Sequence, residues 1–585
     1  MTDNSSKEKI WYKHWPPQVP KNLDYPDLTL AEILEESAKK YSDNTAIIFL
    51  DTCMNYDVLW DNVKRMAKGL SDLGLKKGDV CALILPNSFQ YVISFYACQL
   101  LGVIVTAINP TYKALEVQHQ LKDSGAKAVI VLDSIFNEVA EGIKFTGVKN
   151  IIGTNIVDIC GFSKIKIFLG KILKKIPSGE MTPETIKFTN LLKSDPSPPT
   201  VKTSPDDIAV LQYTGGTTGL PKGAMLTHKN LVANAAQCDA WLWKREQTTG
   251  LVGVLPLFHA FAMTVVMNLS IRLGGFQLLF PRPPADMTEL FEAIEKYSHD
   301  AGLIMPGVAI LFNKINNHPK AGNYNLHKMK MSVSGAGPLP IEVQNRYEEL
   351  TKSIIVEGYG LSEASPVTHA NPIHGNRKLG TIGLPFPDTE IKIMDRETGK
   401  KELPHLPFPV ATAGGLTREQ LDEVDKYTGE LVIKGPQVMK GYLNRPEETA
   451  NALRDGWLYT GDIACIDCEG YTIIRDRMKD MIKGKGYAIF PAEVEGFLHK
   501  HPAIQNAAVI GVPDKERGEA VKAFIVLDPE KKGKVTAEDI QKWAKDKMAK
   551  YKIPSEIEFR DDLPTTMVGK VLRRVLKEEE RKKRQ

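Results

Sequence analysis

The segment YTGGTTGLPKG, residues 213–223, decides how this sequence folds and what it binds. It follows the apolar run IAVLQ and holds four glycines, three threonines and one lysine within eleven residues. Glycine lets backbone N–H groups approach an anion closely and lysine adds a positive charge, so the segment predicts a phosphate-binding loop after a strand. A P-loop needs G-x-x-x-x-G-K-[ST], whereas here Pro221 precedes Lys222 and Gly223 follows it. This spacing disfavours a Walker-type NTPase.

The composition is that of a globular protein with more than one domain. The chain has 585 residues, of which 43% are hydrophobic and 25% charged, and its formal net charge is +4. So small a charge gives no support for a general nucleic-acid binder. Among seven scattered cysteines, only Cys465 and Cys468 form a C-x-x-C, and no second pair completes a zinc site. Strand packing in a hairpin, in a reducing compartment, is the favoured interpretation.

The sequence predicts a soluble protein. The first twenty residues lack the apolar core of a signal peptide. Residues 91–108, YVISFYACQLLGVIVTAI, carry no charge and just reach the length of a membrane span. Gly102 nevertheless precedes a β-branched run that stops at Asn109 and Pro110, which predicts a buried helix followed by a buried strand.

Strand-like apolar runs alternate with helical patterns, which is the βαβ rhythm of an α/β fold. VCALILP, VIVTAI and AKAVIVL are three of the predicted strands, and the rhythm continues from residue 209 to residue 332. Near Asp476 the chain becomes basic and glycine-rich, and about a hundred residues follow it. We therefore predict a large domain over residues 1–476 and a small one over residues 477–585.

Four further motifs follow the glycine-rich segment in a fixed order. They are GYGLSEASPV (358–367), YTGD (459–462), DRMKDMIKGKG (476–486) and LPTTMVGK (563–570). Together the five segments resemble the signatures of the adenylate-forming superfamily, which includes acyl-CoA synthetases, luciferases and peptide-synthetase adenylation domains. The resemblance covers the chain from about residue 29. It implies a large domain of βαβ-type sheets sandwiched by helices, a β-barrel-like part and a small mobile α+β C-terminal domain.

The resemblance also implies a reaction and its co-substrates. A carboxylate and ATP give acyl-AMP and pyrophosphate, and coenzyme A then takes the acyl group and releases AMP. Two anions meet at the α-phosphorus, so catalysis depends mainly on positioning and charge neutralisation. ATP, Mg²⁺ and coenzyme A are thus the expected small-molecule partners, and no nucleic acid is expected.

Site residues are carried over from the superfamily motifs position by position. The phosphate-binding group comprises Thr214, Gly215, Gly216, Thr217, Thr218, Gly219 and Lys222. The nucleotide site further includes Gly335, Glu357, Gly358, Tyr359 (stacked on adenine) and Ser362 (where the family usually has threonine), with Thr214 and Glu363 as the metal site. Asp462 is expected at the ribose, Arg477 and Lys479 at a hinge, Lys483 and Gly486 along the pantetheine path, and Lys570 between carboxylate and α-phosphate.

The acyl pocket is expected between residues 256–275 and the segment SGAGPL, residues 334–339. Amino-acid-activating relatives place an aspartate near the start of the first segment, but Phe258, His259, Ala260 and Phe261 stand here. An unpaired buried ammonium would be costly, so amino-acid substrates are not expected. His259 resembles a residue beside the acyl carboxylate and the pantetheine tunnel, with Lys222, Glu363 and Lys570 as the other catalytic candidates. Ala488 stands where relatives often carry a polar or aromatic side chain.

Two segments look like insertions. Residues 161–177, GFSKIKIFLGKILKKIP, set Ile165, Leu169, Ile172 and Ile176 on one helical face among five lysines. One interpretation is a surface helix packed on its own domain, and the other is a helix attracted to anionic lipid at a membrane. The second insertion, near His405 within residues 401–428, is expected to be a loop.

The favoured function is a medium- to long-chain fatty-acid–CoA ligase, cytoplasmic or peripheral at the inner membrane face. An aryl-acid ligase of the coumarate or benzoate kind is the alternative within the superfamily. The alternative from another functional class is a lipid-binding or scaffold protein that kept the fold and lost its activity. Such a protein has no physical need for Lys222, Glu363, Asp462, Arg477 and Lys570 together.

Overall fold

The computed structural model describes residues 9–173, 175–214, 221–242, 249–298, 302–410, 423–484, 487–514, 518–545, 548, 550–566 and 570–584. The chain divides into two compact units. The larger unit contains His14–Glu390 and Lys434–Leu458, and the smaller contains Met1–Lys13, Ile391–Ile433 and Tyr459–Gln585. The predicted single boundary after Asp476 stays a prediction.

Within the described residues, the strands in chain order are β1 Thr45–Phe49, β2 Thr52–Asn55, β3 Val80–Ile84, β4 Ile104–Ala107, β5 Ala128–Leu132, β6 Asn150–Thr154, β7 Ile186–Lys187, β8 Ile208–Thr214, β9 Lys222–Thr227, β10 Gly250–Gly253, β11 Phe276–Leu279, β12 Leu303–Gly307, β13 Met329–Ser334, β14 Ile354–Gly360, β15 Val367–Ala370, β16 Leu384–Pro385, β17 Glu390–Met394, β18 Gly429–Lys434, β19 Leu453–Arg454, β20 Trp457–Ile466, β21 Thr472–Arg477, β22 Ile482–Gly484, β23 Tyr487–Ile489, β24 Ile504–Asp514, β25 Gly518–Leu527 and β26 Glu556–Arg560.

The α-helices of the same residues are α1 Leu30–Lys40, α2 Tyr56–Asp72, α3 Phe89–Leu100, α4 Ala114–Ser124, α5 Asp133–Lys144, α6 Lys164–Ile172, α7 Phe188–Leu191, α8 His228–Leu242, α9 Ala260–Ala262, α10 Leu269–Leu273, α11 Met287–Tyr297, α12 Ala309–Asn316, α13 Ile341–Thr351, α14 Pro446–Ala452, α15 Pro491–Leu498, α16 Ala537–Lys545 and α17 Arg573–Arg584.

Two largely parallel sheets form the larger unit. One has the order β16-β15-β14-β13-β12-β10-β11-β1-β2, and the other has the order β7-β6-β5-β3-β4-β8-β9. Their central strands pair in parallel, while β2, β9, β15 and β16 pair antiparallel at the edges. Helices connect most of the parallel strands, as such crossovers require. The predicted α/β fold class is therefore confirmed.

The pattern of the sequence explains the elements around these sheets. Every residue of β3, the run VCALI, is buried, because a parallel strand is covered on both faces. Helix α2 begins at Asn55, whose side chain accepts the N–H of Val58, and buries Leu59, Val63 and other apolar residues along one face. The cap at Asn55 and the apolar face therefore both favour a helix at this position.

The segment that mimics a membrane span folds as predicted, with helix α3 followed by strand β4. All of α3 except its last residue is buried. No helix in the described part of the chain combines the length and the apolar character needed to cross a bilayer. Cys465 lies in β20, which forms an antiparallel pair with β21, so the predicted hairpin is confirmed.

The smaller unit contains most strands of one further sheet and all strands of another, and the second of these is mixed. In the first, the order is β17-β18-β20, and β21 pairs antiparallel with β20. In the second, the order is β23-β22-β25-β24, with β26 parallel to β25. Helices α15 and α16 and the second sheet share a core that includes Val494, Val509, Ile525 and Ile540. This is the α+β part expected near the C-terminus.

Candidate active site

Strands β8 and β9 form the two sides of the glycine-rich loop. They pair antiparallel, and the register places Thr214 directly opposite Lys222. The loop glycines and threonines at 215–219 lie outside the described residues. The ends of the two strands thus bring the first and last residues of the predicted phosphate site together, because a hairpin register fixes which residues face each other.

Lys222 lies beside an aromatic ring and a carboxylate. Its Nζ lies 5.5 Å from the centre of the Tyr442 ring and 3.7 Å from Oε1 of Glu448. About a third of its side chain is exposed, so these partners hold the ammonium loosely and leave it open to an anionic ligand.

Tyr442 also contacts Glu363 and so joins two predicted site residues. Its hydroxyl donates a 2.8 Å hydrogen bond to Oε1 of Glu363. Burial raises the pKa of Tyr442 well above its ordinary value, and the charge of Glu363 raises it further, so the hydroxyl stays protonated. Tyr442 was not among the predicted site residues, and its only signal in the sequence is an aromatic side chain within the segment KGYLNRPEE.

Backbone hydrogen bonds fix the segment that carries Tyr442. The N–H of Leu443 donates to the carbonyl of Gly223, and the N–H of Met439 donates to the carbonyl of Glu363. The short 3-10 turn Ser362–Ala364 contacts both β8 and β9. Main-chain contacts therefore hold Glu363 against the base of the phosphate loop, in addition to the hydrogen bond that its side chain accepts from Tyr442.

The chemistry around Glu363 fits a magnesium ion bound together with phosphate groups. No cluster of three or more His, Cys, Asp or Glu side chains suited to a metal occurs among the described residues. Mg²⁺ commonly takes one or two carboxylates, several waters and the phosphate oxygens of a nucleotide, so a dedicated protein cage is not needed. Glu363 supplies such a carboxylate, and Thr214 ends the neighbouring strand β8.

Strand β14 carries Glu357, Gly358 and Tyr359 in succession. Its register pairs Glu357 with Ser334 of β13, and Tyr359 with His369 of β15. The rings of Tyr359 and His369 meet edge to face at 5.8 Å between centres. One neighbour thus limits the orientation of the ring predicted to stack on adenine.

Glu357 is a partly buried carboxylate with altered acidity. Burial raises its pKa to about 8, although the backbone N–H of Leu339 partly offsets this by stabilising the charged form. Near neutral pH the side chain is therefore mainly protonated, and it can donate a hydrogen bond as well as accept one.

The two predicted walls of the acyl pocket approach each other at Gly335. A Cβ atom on Gly335 would lie 2.9 Å from the ring of Phe261, so only glycine leaves room for this aromatic side chain. Phe261 is almost fully buried. The contact bears out the expectation that residues 256–275 and 334–339 face one another.

His259 precedes the short helix α9 and caps it. Its Nδ1 accepts the backbone N–H of Phe261 at 3.2 Å, so in the neutral ring the proton lies on Nε2. A partly exposed His259 therefore presents a donor nitrogen away from its own helix. The residues that follow, 263–268, form a turn of π-helix, a feature found often at functional sites.

In the smaller unit, Asp462 and Arg477 form an ion pair across β20 and β21. Oδ1 of Asp462 lies 3.1 Å from Nε of Arg477, and the two residues are direct cross-strand partners. Asp462 is buried, whereas Arg477 is about one-third exposed. The sheet register therefore places the predicted ribose residue beside the predicted hinge arginine.

Two hydrogen bonds join Lys570 to Thr566. Its carbonyl accepts the N–H of Thr566 at 2.8 Å, and its N–H donates to the Thr566 hydroxyl at 3.1 Å. The protein around its ammonium group lowers the pKa of Lys570 to about 8; Arg477 lowers it further and Asp462 opposes the change. Three predicted residues of the smaller unit thus influence one another electrostatically.

Arg573 connects the Lys570 loop with the basic segment that follows β21. Its guanidinium lies 2.6 Å from Oε2 of Glu495 and 3.5 Å from carboxylate oxygens of both Asp476 and Asp480. Burial raises the pKa of Asp476 to about 6, and Arg573 counteracts that rise. Arg573 was not among the predicted site residues, because several basic residues surround it in the sequence.

The remaining predicted residues lie at the surface of the smaller unit. Lys479 is exposed in a turn between β21 and β22. Lys483 is exposed in β22, and its backbone N–H donates to Glu519. Gly486 lies outside the described residues, and so do residues 411–422 of the second insertion.

Comparison with known families covers almost the whole chain. The family described as AMP-binding enzyme matches residues 34–443, and its C-terminal domain family matches residues 493–570. This protein belongs to the AMP-binding enzyme family. The resemblance inferred from the five motifs is thereby confirmed.

Curated relatives of this AMP-binding enzyme are similar along their full length. It is 42% identical over 580 residues to a long-chain-fatty-acid–CoA ligase of Bacillus subtilis, with 98% of each chain covered. A long-chain-fatty-acid–CoA ligase of Escherichia coli is 36% identical, covering 98% of this chain and 99% of its own. A feruloyl-CoA synthase of Amycolatopsis is 32% identical, covering 90% and 94%.

Solved structures show the same fold. ATP-bound MatB from Rhodopseudomonas palustris superposes with a TM-score of 0.79 at 26% identity, covering 94% of this chain and 99% of its own. O-Succinylbenzoate CoA synthetase from Bacillus subtilis, in complex with an acyl-adenylate, gives a TM-score of 0.72 at 27% identity, covering 93% and 97%. Both agree with a large α/β domain and a small C-terminal domain.

Proposed function

We propose that this AMP-binding enzyme is an ATP-dependent long-chain-fatty-acid–CoA ligase. A fatty-acid carboxylate attacks the α-phosphorus of ATP, so that a C–O–P bond forms and pyrophosphate leaves. The thiolate of coenzyme A then attacks the acyl carbon, a thioester forms, and AMP leaves with the electron pair of the broken bond. The products are one acyl-CoA, one AMP and one pyrophosphate for each ATP.

The full-length similarity to curated long-chain-fatty-acid–CoA ligases carries this proposal. It agrees with the activity predicted from the motifs. The acyl segment supports the choice of substrate, because Phe258, Ala260 and Phe261 supply apolar surface and no carboxylate that could pair with an ammonium. Each buried methylene contributes about 0.8 kcal/mol, so an apolar pocket favours long chains.

In the larger unit, we assign the phosphates of ATP to the β8–β9 loop. Thr214 and Lys222 lie at its base, and the glycines and threonines between them supply N–H and hydroxyl donors. Glu363 and Thr214 would hold Mg²⁺, which when bound neutralises phosphate charge as pyrophosphate leaves. Tyr442 would orient Glu363 through the 2.8 Å hydrogen bond from its hydroxyl.

The nucleoside and the acyl group are assigned to neighbouring strands. Tyr359 offers its ring to adenine; Gly358 leaves the backbone accessible, and Glu357, Ser362 and Gly335 border the same site. His259 would direct its Nε2–H towards the acyl carboxylate or the incoming thiol, because Nδ1 is already engaged.

In the smaller unit, Asp462 is assigned to the ribose hydroxyls and Lys570 to the developing negative charge between carboxylate and α-phosphate. Arg477 would position Asp462 through their 3.1 Å ion pair. Lys479 is assigned to a hinge that alternates the two half-reactions, and Lys483 and Gly486 to the pantetheine path.

The second candidate is an aryl-acid–CoA ligase. An aryl-acid–CoA ligase is retained as a candidate because this chain is 32% identical to a feruloyl-CoA synthase over 90% of its length. A flat, glycine-lined pocket would suit an aryl acid, whereas a deep apolar one would suit an alkyl chain.

One experiment separates the candidates. AMP, pyrophosphate and CoA thioester are measured with fatty acids from C4 to C20, and with cinnamate, benzoate and ferulate. We expect AMP formation to be greatest with the longer fatty acids. Greater activity with the aryl acids would replace the proposed substrate, and absence of AMP with every acid would contradict the ligase.

We further propose a cytoplasmic enzyme that works peripherally at the inner face of a membrane, where long-chain fatty acids dissolve. All seven cysteines are free, which suits a reducing compartment. Fractionation of cells that express the chain, at low and high salt, would test the location. Recovery in neither the cytoplasmic fraction nor the inner-membrane fraction would contradict it.

A further inference from the structure

Helix α6 and the residue after it present a row of large apolar side chains to solvent. The described chain has ten large hydrophobic residues with extensive exposure, and five of them fall within nine consecutive positions. Their side chains are between 50% and 73% exposed: Ile165, Phe168, Leu169, Ile172 and Leu173. We call these five residues the α6 apolar face. Such a concentration on one short helix differs from the scattered apolar residues of an ordinary surface.

The segment is also basic. Lys166 and Lys175 are exposed, and Lys171 is partly exposed. No aspartate or glutamate occurs from residue 159 to residue 179. Lysine side chains that flank an apolar helical face can extend to the headgroups of a bilayer while the apolar side chains enter it. The charge of the segment therefore complements an anionic lipid surface.

Both ends of the segment are fastened to the larger unit. The Thr52 hydroxyl donates to the carbonyl of Cys160 at 2.8 Å, and the Asn155 amide donates to the carbonyl of Pro177 at 2.9 Å. The helix itself begins at Ser163, whose hydroxyl accepts the N–H of Lys166. The structure thus presents the face on a short capped helix with two fixed ends.

The chain turns back after the helix and covers only one part of it. The N–H groups of Lys175 and Ile176 both donate to the carbonyl of Gly170, and Ile176 packs on Gly170, where a Cβ would come within 2.5 Å of it. Ile176 was predicted on the same helical face as Ile165, Leu169 and Ile172, but it packs on Gly170 and is not part of the α6 apolar face. The interpretation that this helix packs its apolar residues on its own domain is contradicted by their exposure.

We propose that the α6 apolar face inserts into the outer acyl region of an anionic phospholipid bilayer, with Lys166, Lys171 and Lys175 at the headgroups. The proposal rests on the proposed function, since a long-chain fatty acid is itself dissolved in the bilayer. Attachment at this face would hold the enzyme where its substrate is concentrated. The contact is peripheral, because nine residues of helix are far too short to span the membrane.

Vesicle flotation of the full chain tests this directly. Vesicles of phosphatidylcholine alone are compared with vesicles containing 30% phosphatidylglycerol, without fatty acid or ATP. Wild type is compared with Phe168→Ser/Leu169→Ser/Ile172→Ser, and with the control Val58→Ser/Phe559→Ser, which removes exposed apolar side chains elsewhere. We expect the triple variant to lose at least tenfold in partitioning to the anionic vesicles and the control to bind like wild type.

A second pair of measurements examines the lysines and the depth of insertion. Lys166→Gln/Lys171→Gln/Lys175→Gln should abolish the preference for anionic over neutral vesicles. Phe168→Trp should keep binding and show fluorescence quenched by lipids brominated on their acyl chains. Absence of quenching during binding would overturn insertion of the face.

Other occupants of the face give other results. Equal flotation of wild type and the triple variant would overturn the proposal. Lipid-independent dimerisation that the triple variant abolishes would assign the face to a second copy of the chain instead. Because flotation requires no turnover, failure of the ligase assay leaves this result interpretable. AMP formation from octanoate in the absence of vesicles should be the same in wild type and the triple variant, which verifies that the variant is folded.

Discussion

At the scale of single residues, Lys570 depends on neighbours that are distant in sequence. Although Lys570 is exposed, neighbouring protein atoms disfavour its charged form and Arg477 repels its charge, so the pKa of its ammonium is lowered to about 8. A lysine in this condition is charged at neutral pH but close to losing its proton. Asp462 favours the charged form, so the ion pair of Asp462 and Arg477 helps to set the charge of Lys570.

Replacing Lys570 by alanine tests its assigned role. Lys570→Ala should reduce acyl-AMP formation by about 10²–10³-fold, because a positive charge at developing negative charge is lost. Thioester formation from supplied acyl-AMP should remain near the wild-type rate, since the assignment concerns only the first half-reaction. Pyrophosphate release and single-turnover acyl transfer measure the two steps. An exposed lysine in the same unit, changed in Lys531→Ala, serves as control, and wild-type adenylation by Lys570→Ala would contradict the assignment.

The altered pKa of Lys570 predicts a pH dependence. The lysine is charged below about pH 8 and loses its charge above it, so kcat/KM for ATP in the first half-reaction should fall as pH rises from 7.5 to 9.5. Lys570→Arg should be slower at neutral pH but should show no such decline, because arginine stays charged.

Glu357 also titrates near pH 8 and requires its own control. Glu357→Gln keeps a neutral side chain at every pH, so a decline that persists in this variant belongs to Lys570. A decline that disappears in Glu357→Gln would assign the effect to Glu357 instead. Pyrophosphate release across the pH range measures both.

Tyr442 shows how one hydroxyl connects two parts of the candidate phosphate site. Tyr442→Phe removes the 2.8 Å hydrogen bond to Glu363 and keeps the ring beside Lys222. A hydrogen bond of this kind contributes about 1 kcal/mol, so we expect a roughly fivefold greater Mg²⁺-ATP concentration for half-maximal rate. Tyr324→Phe is the control, and an unchanged Mg²⁺-ATP titration would contradict the positioning role.

At the scale of elements, the segments 256–275 and 334–339 can approach each other closely because glycine occupies position 335. The end of β13 meets the segment before the π-helical turn where Phe261 packs on Gly335. Both segments were predicted as walls of one pocket, but which atoms meet was decided by the sheet order β13-β12-β10, because one segment follows β10 and the other follows β13. A sequence pattern predicts that a strand is buried, but it does not predict which elements lie next to that strand.

Gly335→Ala should therefore disturb the candidate pocket. The new Cβ would lie 2.9 Å from the Phe261 ring, and overpacking of this kind destabilises by about 1–3 kcal/mol. Gly337→Ala is a matched control, because a Cβ there meets no atom within 4 Å. Urea unfolding of both variants measures the difference. Phe261→Leu should reduce the cost of Gly335→Ala, and equal stability of the two alanine variants would contradict the close approach.

At the scale of the whole molecule, the candidate residues divide between two compact units. Lys222, Glu363 and Tyr359 belong to the larger unit, whereas Asp462 and Lys570 belong to the smaller. A reaction that uses both sets requires the units to be positioned for each half-reaction. Lys479, exposed in a turn of the smaller unit, is the predicted point of adjustment.

Lys479→Pro tests that prediction, because proline fixes φ and also restricts the preceding residue. We expect acyl-AMP formation within about threefold of wild type and acyl transfer to CoA slowed at least tenfold. Lys479→Ala removes the side chain without restricting the backbone and should transfer normally. Retained adenylation shows that the proline variant is folded, and an equal reduction of both steps would contradict a hinge.

Sequence alone determined the α/β class, the motif order and the residue types of the candidate site. These follow from local properties: apolar runs, helical periodicity, and glycines where a backbone must approach a ligand. The helix and the strand predicted over residues 91–108 are both present, because each segment is apolar enough to be buried within the fold.

Only the tertiary structure decided which residues meet. Tyr442 reaches Glu363, and Arg573 reaches Asp476, across long stretches of chain that no periodicity relates. The α6 apolar face was likewise not determined by the sequence, which fits both a helix packed on its own domain and a helix at a lipid surface. These contacts depend on the register of the sheets, on the connections between strands, and on which surfaces lie next to each segment. All three are properties of the whole fold rather than of any one segment.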